Sequence, residues 1–259
     1  MKYLVAACLL GMAVPGLAAD APAPASRLGQ GYLKSASPPE NILLSPPPPA
    51  AGSVAQARDD EASRAGLALR GSPRWALATE DADLFGPRAT VALSCALGTD
   101  IGPQTTPRLD HLLRKVIADF GASTSVIKRT YHRPRPFMVN GQPSCTPDAE
   151  STLRKDGSYP SGHSAIGFGW SLILAELRPE RAATIVARGR AFGDSRRVCN
   201  VHWLSDTEEG RIAAAATFAR LNAEPAFQKD IKAVRAELKR ARAAPQNCES
   251  EAAALRLAP

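Results

Sequence analysis

The chain has 259 residues, 44% of them hydrophobic and 22% charged, which suits one large or two small globular domains with a sizeable core. Its formal charge of +7 calls for an anionic partner, whether nucleic acid, a membrane surface or a small anion. No long block of consecutive Lys and Arg is present, which sets nucleic acid aside and favours a small anionic substrate.

The N-terminus reads as a secretory signal peptide over residues 1–19. Lys2 supplies the positive end, residues 3–14 are apolar, and small residues through Ala18 and Ala19 offer a cleavage point. The apolar run is too short to span a membrane comfortably, and no later stretch of about 20 apolar residues replaces it. Cys8 superficially resembles a lipoprotein processing site, but too little apolar sequence precedes it. The expected location is therefore periplasmic or secreted, with no membrane association after cleavage. Residues 20–52 are rich in Pro and Ala, with Pro46-Pro47-Pro48-Pro49 as the extreme, and read as extended or loosely attached.

Helical patterns follow. Residues 54–70 and 75–85 suit short helices. Leu109, Leu112, Leu113, Val116, Ile117 and Phe120 recur at three and four, giving one apolar helix face over residues 108–131. Residues 140–158 read as a polar loop. Further helices are expected over 163–177, 179–192, 204–221 and 225–243, with Pro179 suited to a first turn. No alternating strand pattern and no internal repeat is found. The fold class is all-α, a single helical domain over 53–243 with a frayed tail over 244–259.

After signal cleavage four cysteines remain, Cys95, Cys145, Cys199 and Cys248. An even count in an exported chain suggests disulfides, with three pairings open. No C-x-x-C spacing occurs, which argues against zinc.

Three segments concentrate cations, histidines and turn residues. Residues 128–136 hold Lys128 and Arg135, the latter between Pro134 and Pro136. A guanidinium presents a planar fork to phosphate oxygens and an ammonium adds a point charge. Taken alone, however, Lys128, Arg129 and Arg133 read as a solvated basic face. Residues 157–163 end in Ser161-Gly162-His163 at the start of a helix, where backbone N–H groups favour an anion. Alone, that is an N-cap serine with an incidental histidine. Residues 195–206 hold Arg196, His202 and Asp206, the last two one turn apart if a helix starts that early. A carboxylate holding one imidazole nitrogen leaves the other free and more basic, although a surface His–Asp pair looks the same in sequence.

Together the segments read K-x6-R-P, P-S-G-H and S-R-x5-H-x3-D, in that order. This set resembles the signature of the phosphatidic acid phosphatase type 2 superfamily, which also contains the vanadium haloperoxidases. The run from Asp156 to His163, residues 46–53 and residues 192–211 resemble bacterial class A nonspecific acid phosphatases, and the likeness covers residues 42–235. It implies a compact all-α fold and hydrolysis of small phosphomonoesters at acidic pH over a broad substrate range. It implies His202 as nucleophile forming a phosphohistidine, Asp206 orienting it, and His163 as general acid. Lys128, Arg135, Ser161, Gly162 and Arg196 would bind phosphate, with no metal and no cofactor. Vanadate could bind as a transition-state mimic. The alternative chemistry is a vanadium-dependent haloperoxidase. A homo-oligomer is compatible with the resemblance.

Cys145 and Cys199 resemble cysteines of the class, which implies that pair and leaves Cys95 with Cys248. Several positions depart from the class pattern. Ser164 replaces the usual Thr, Cys95 stands where a Gly would follow Ser94, and Asn200-Val201 differ next to His202. The last change puts the leaving-group pocket in question. His111 reads as structural or exposed, and His132 lies in the first segment but at no matched position.

Overall fold

The computed structural model describes residues 29–33, 43–241, 245 and 248–256, so the expected signal peptide lies outside the described residues. Among the described residues there are helices and no strand, the expected all-α class. In chain order they are α1 (Val54–Leu67), α2 (Pro73–Glu80), α3 (Ser94–Leu97), α4 (Pro107–Tyr131), α5 (Pro136–Asn140), α6 (Glu150–Leu153), α7 (Gly162–Leu177), α8 (Ala182–Val198), α9 (Leu204–Asn222), α10 (Pro225–Leu238) and α11 (Cys248–Leu255). Short 3-10 turns occupy Ala89–Leu93, Pro147–Ala149 and Pro179–Arg181.

α4 carries the clearest helical pattern, and all six residues of its apolar face are buried. Pro107 opens it, at a position whose N–H has no intrahelical partner. The face meets Ile166, Trp170, Ile173 and Leu174 of α7, which also packs against α8 and α9. The Trp170 indole N–H donates to the Leu113 carbonyl at 2.8 Å, so the largest buried side chain keeps its one polar atom satisfied. Each fully buried aliphatic or aromatic side chain contributes about 1.5–3 kcal/mol, and this α4–α7–α8 core supplies most of that burial. α9 comes close to the start of α7 because Gly210 has no side chain. A Cβ there would lie 2.5 Å from the Ser161 carbonyl oxygen.

Several boundaries differ from the sequence reading. α8 runs six residues past Phe192 to Val198, which puts Arg196 on a helix and not on a loop. α2 stops at Glu80, and the chain from Ala89 to Leu97 forms the 3-10 turn and α3, for which no periodicity was available. The loop over 140–158 contains the short α6. The segment after Pro245, expected to be frayed, holds α11. It is tied down by a Cys95–Cys248 disulfide (Cα–Cα 5.5 Å) and by an ion pair between Glu251 and Arg188. Part of the Pro/Ala-rich N-terminal segment is also docked. The backbone N–H groups of Tyr32 and Leu33 both donate to the Asp119 carboxylate at 2.9 Å, and the Tyr32 ring meets Phe227 edge-on. The second disulfide joins Cys145 to Cys199 (Cα–Cα 4.7 Å), as the resemblance implies. No helix among the described residues is long and apolar enough to cross a membrane.

Candidate active site

The three motif segments converge through backbone bonds before any side chain is considered. The Ser158 N–H donates to the Arg133 carbonyl at 2.9 Å and the Ser161 N–H to the Asp206 carbonyl at 2.9 Å. The N–H groups of Val201 and His202 both reach the Arg196 carbonyl, and the Trp203 indole donates to the Pro134 carbonyl at 2.8 Å. Gly157 is required here, since a Cβ would lie 2.7 Å from the Lys128 carbonyl oxygen. The segments are thus stapled to one another, and their side chains share one buried site.

His202 and Asp206 are not on one helix, as their four-residue spacing suggested. Trp203 is the N-cap of α9 and Asp206 its third residue, so His202 lies just ahead of the helix. Asp206 reaches back as an N-terminal capping carboxylate. Its Oδ2 accepts from the Trp203 N–H at 2.8 Å and lies 3.2 Å from His202 Nδ1. Nδ1 is thus placed to donate to Asp206, and Nε2 lies 3.2 Å from Arg135 Nη1, with the Ser158 carbonyl also within reach of the ring. Both members are buried.

Arg135 is the N-cap of α5, held extended ahead of Pro136. Its guanidinium donates to the carbonyls of Leu153 (2.9 Å) and Val201 (3.1 Å). Lys128, on the last turn of α4, donates to the Gly157 carbonyl and lies 3.3 Å from the Asp156 carboxylate. Arg196 differs from both, because its Nε and Nη1 are buried with no hydrogen-bond partner. An unpartnered buried guanidinium is costly, and an anion would relieve that cost.

Ser161 caps α7, its hydroxyl accepting from the Ser164 N–H at 3.2 Å. A Cβ on Gly162 would meet only Thr124 Oγ1, at an ordinary 3.5 Å, so internal packing does not demand glycine there. His163 follows on the first turn. Its Nε2 lies 2.9 Å from the Ala82 carbonyl, which fixes the hydrogen on Nε2 and turns Nδ1 the other way. Its ring stacks on Phe192.

The electrostatics follow from three cations placed together out of water. Burial lowers Lys128 to about 8 and Arg196 to about 9, each lowered further by Arg135. Burial and then Arg135 hold His202 well below its ordinary range. Burial and then Arg196 do the same to His163. Burial raises Asp206, opposed first by Arg133. Burial and the cations thus disfavour the charged form of both imidazoles, and the mutual repulsion of the cations favours a multiply charged anion.

Arg133 does not belong to a solvated basic face: it is buried and spans two carboxylates, Asp206 Oδ1 and Asp59 Oδ2, each at 2.7 Å. Lys128 is buried too, whereas Arg129 is exposed. Asp59 comes from α1, and nothing in the sequence links it to the motifs. His132 is exposed in a left-handed conformation at the end of α4, and His111 is also exposed. Asn200 and Val201, next to His202, are both buried. Asn200 takes a left-handed backbone (φ 61°) and donates to the Gln142 carbonyl at 2.7 Å, and Val201 packs with Ala78 and Phe137. Ser94 accepts from the Ile101 N–H at 2.9 Å, and Cys95 is disulfide-bonded. Ser164 lies among the helices, where a Cβ on Gly193 would come within 2.8 Å of its hydroxyl. Among the described residues, no three His, Cys, Asp or Glu side chains gather as a metal would require.

Residues 112–224 match the PAP2 superfamily. The chain is 45% identical to a non-specific acid phosphatase of Salmonella typhimurium, over 70% of this chain and 72% of that one. It is 41% identical to an acid phosphatase of Zymomonas mobilis, over 74% and 72% of the two chains. It is 37% identical to a non-specific acid phosphatase of Providencia stuartii, over 80% and 84%. The chain belongs to the PAP2 superfamily and stands among its acid phosphatases.

Proposed function

We propose that this acid phosphatase hydrolyses a broad range of small phosphomonoesters through a phosphohistidine on His202, without a metal. The observation that carries the reading is the buried guanidinium of Arg196, whose Nε and Nη1 have no hydrogen-bond partner and whose charge acts on an imidazole with Nε2 facing a second cation. A phosphoryl group docks among Lys128, Arg135, Arg196 and the Ser161–Gly162 turn, where cations and a helix start offset its charge. Nε2 of neutral His202 attacks phosphorus in line as the ester oxygen leaves. His163 supplies the proton to that oxygen from Nδ1, since Nε2 is committed to Ala82. Water, deprotonated by the now neutral His163, attacks phosphorus, the N–P bond breaks, and phosphate departs.

Two features favour acidic operation. Burial, and after it the cations, favours the unprotonated and so nucleophilic form of His202 at low pH. His163 takes up its proton only once the dianion offsets Arg196 and Arg135. The two disulfides and the signal-like N-terminus support a periplasmic or secreted enzyme. The test is activity on several phosphomonoesters between pH 4 and pH 8 after exhaustive EDTA treatment. Retained turnover supports the reading, and its loss with recovery on adding a metal overturns it.

A further inference from the structure

We propose that Arg133 and Asp59 are positioning residues that lock Asp206, and through it fix which nitrogen of His202 carries the hydrogen. The proposal rests on the reading of His202 as nucleophile only for its kinetic consequence. Arg133 is not available to a phosphate, because its fork is already full. Nη1 donates to Asp206 Oδ1 (2.7 Å) and Ser205 Oγ (2.8 Å), and Nη2 to Asp59 Oδ2 (2.7 Å) and Gln56 Oε1 (2.8 Å). The Trp203 ring covers the guanidinium, 5.3 Å from its carbon to the ring centroid. Asp59 also accepts the Ser205 N–H at 2.8 Å and the Ser205 hydroxyl at 2.6 Å, so α1 grips the first turn of α9 on both sides of the ion pair.

The consequence lies in Asp206. Its Oδ1 is taken by Arg133, which leaves Oδ2 alone to face His202 Nδ1 and the Trp203 N–H. Asp206 and Asp59 are almost wholly buried, at 0% and 1% exposure, so neither holds an uncompensated charge cheaply. Without Arg133 the Asp206 carboxyl takes a proton or turns toward another donor. Either change removes the acceptor that holds the hydrogen on His202 Nδ1. Only the Arg135 donor at Nε2 then favours the Nδ1–H form, and part of the population carries its hydrogen on Nε2, whose lone pair is lost to attack. The network also accounts for α1, whose buried stripe is Asp59, Ser63 and Gly66 and offers little apolar surface to dock with.

The test uses Asp59→Asn, Arg133→Lys and Arg133→Gln in the full chain, with nitrogen NMR of the histidine rings and steady-state kinetics on the same samples. Wild type should show His202 with hydrogen on Nδ1 and a bare Nε2. Arg133→Gln should populate the Nε2–H form and lower kcat about 10²-fold with KM within about threefold, as misplacing a catalytic group costs. Asp59→Asn should do the same more weakly, by about tenfold, and Arg133→Lys should recover part of the Arg133→Gln loss. If Arg133→Gln fails to fold, the other two variants decide. Folded Asp59→Asn and Arg133→Lys proteins with wild-type kcat and an unchanged His202 ring signal would overturn the proposal, even if their melting temperatures fall. The nucleophile reading fails separately, through the absence of a phosphohistidine on the wild-type protein. The ring signal then still reports whether Arg133 sets the tautomer.

Discussion

Arg135 Nη1 lies 3.2 Å from His202 Nε2, on the side of the ring opposite Asp206. The guanidinium donates into the lone pair that the proposed chemistry uses, so an arriving phosphoryl oxygen must exchange with Nε2 for that hydrogen. The imidazole is thereby held neutral and oriented before substrate binds. Lys128 and Arg196 add to the effect, since each disfavours a third positive charge on His202.

This arrangement fixes the sign of a pH effect. His202 is held below its ordinary range, so its reactive neutral form exists above that lowered value, and the acidic limb of kcat/KM lies below the usual histidine range. Lys128→Gln removes one of the cations responsible. The limb should move to higher pH, and the rate at the optimum should fall about 10²–10³-fold through the lost phosphoryl contact. A pH series of kcat/KM on both proteins checks this. An unmoved limb would remove the cations as its cause.

Arg196 couples binding to stability. Its Nε and Nη1 are buried and unpartnered. Arg196→Met should therefore leave the phosphate-free protein as stable as wild type or more so, while weakening vanadate or phosphate binding by about 10–100-fold. Thermal melts with and without phosphate test both halves. Wild type should gain melting temperature with the anion, as any ligand of the native state produces, and Arg196→Met should gain less at the same anion concentration.

How far the site was legible in sequence depends on what fixes each residue. Lys128, Arg135, Arg196, His163, His202 and Asp206 stand at fixed spacings within short segments, and backbone bonds between those segments bring them together. α4 was legible because its buried face is aliphatic and periodic. α1 was placed within a few residues, but its buried face is polar, so hydrophobic period carries no hint that Asp59 points inward. Arg133 looked like one basic residue among several, because its partners come from elements about 70 residues away on either side. The docked tail is a third kind of case. α11 is held by a disulfide and by Arg188–Glu251, and composition reveals neither partner's place. Asn200 has a left-handed backbone and bonds to Asn140 and Gln142, partners that its place next to His202 does not reveal in sequence.

His163 should gain its proton together with the anion. Burial and the neighbouring cations keep it neutral in the free protein, and a bound dianion reverses the balance. Binding of sulfate, already a dianion near pH 6, should therefore take up a proton, measured by calorimetry in buffers of different ionisation enthalpy. His163→Ala should bind without that uptake. It should also lose far more rate on alkyl phosphates than on p-nitrophenyl phosphate, whose leaving group needs little protonation.

The Cys95–Cys248 bridge closes a loop of 153 residues and anchors α11 at some distance along the chain from the motif segments. Cys248→Ser should lower stability by about 2–4 kcal/mol in urea unfolding. Turnover at 25 °C should stay near wild type, because no residue assigned to phosphate or proton transfer lies on α11.

The central claim is that phosphate passes through His202. Rapid mixing with a labelled phosphomonoester at acidic pH, quenched in base and followed by peptide mapping, tests it most directly. The account predicts a base-stable, acid-labile phosphate on the peptide carrying His202, accumulating in His163→Ala and absent from His202→Ala. Turnover retained in His202→Ala, or label on another residue of the wild-type chain, would contradict it.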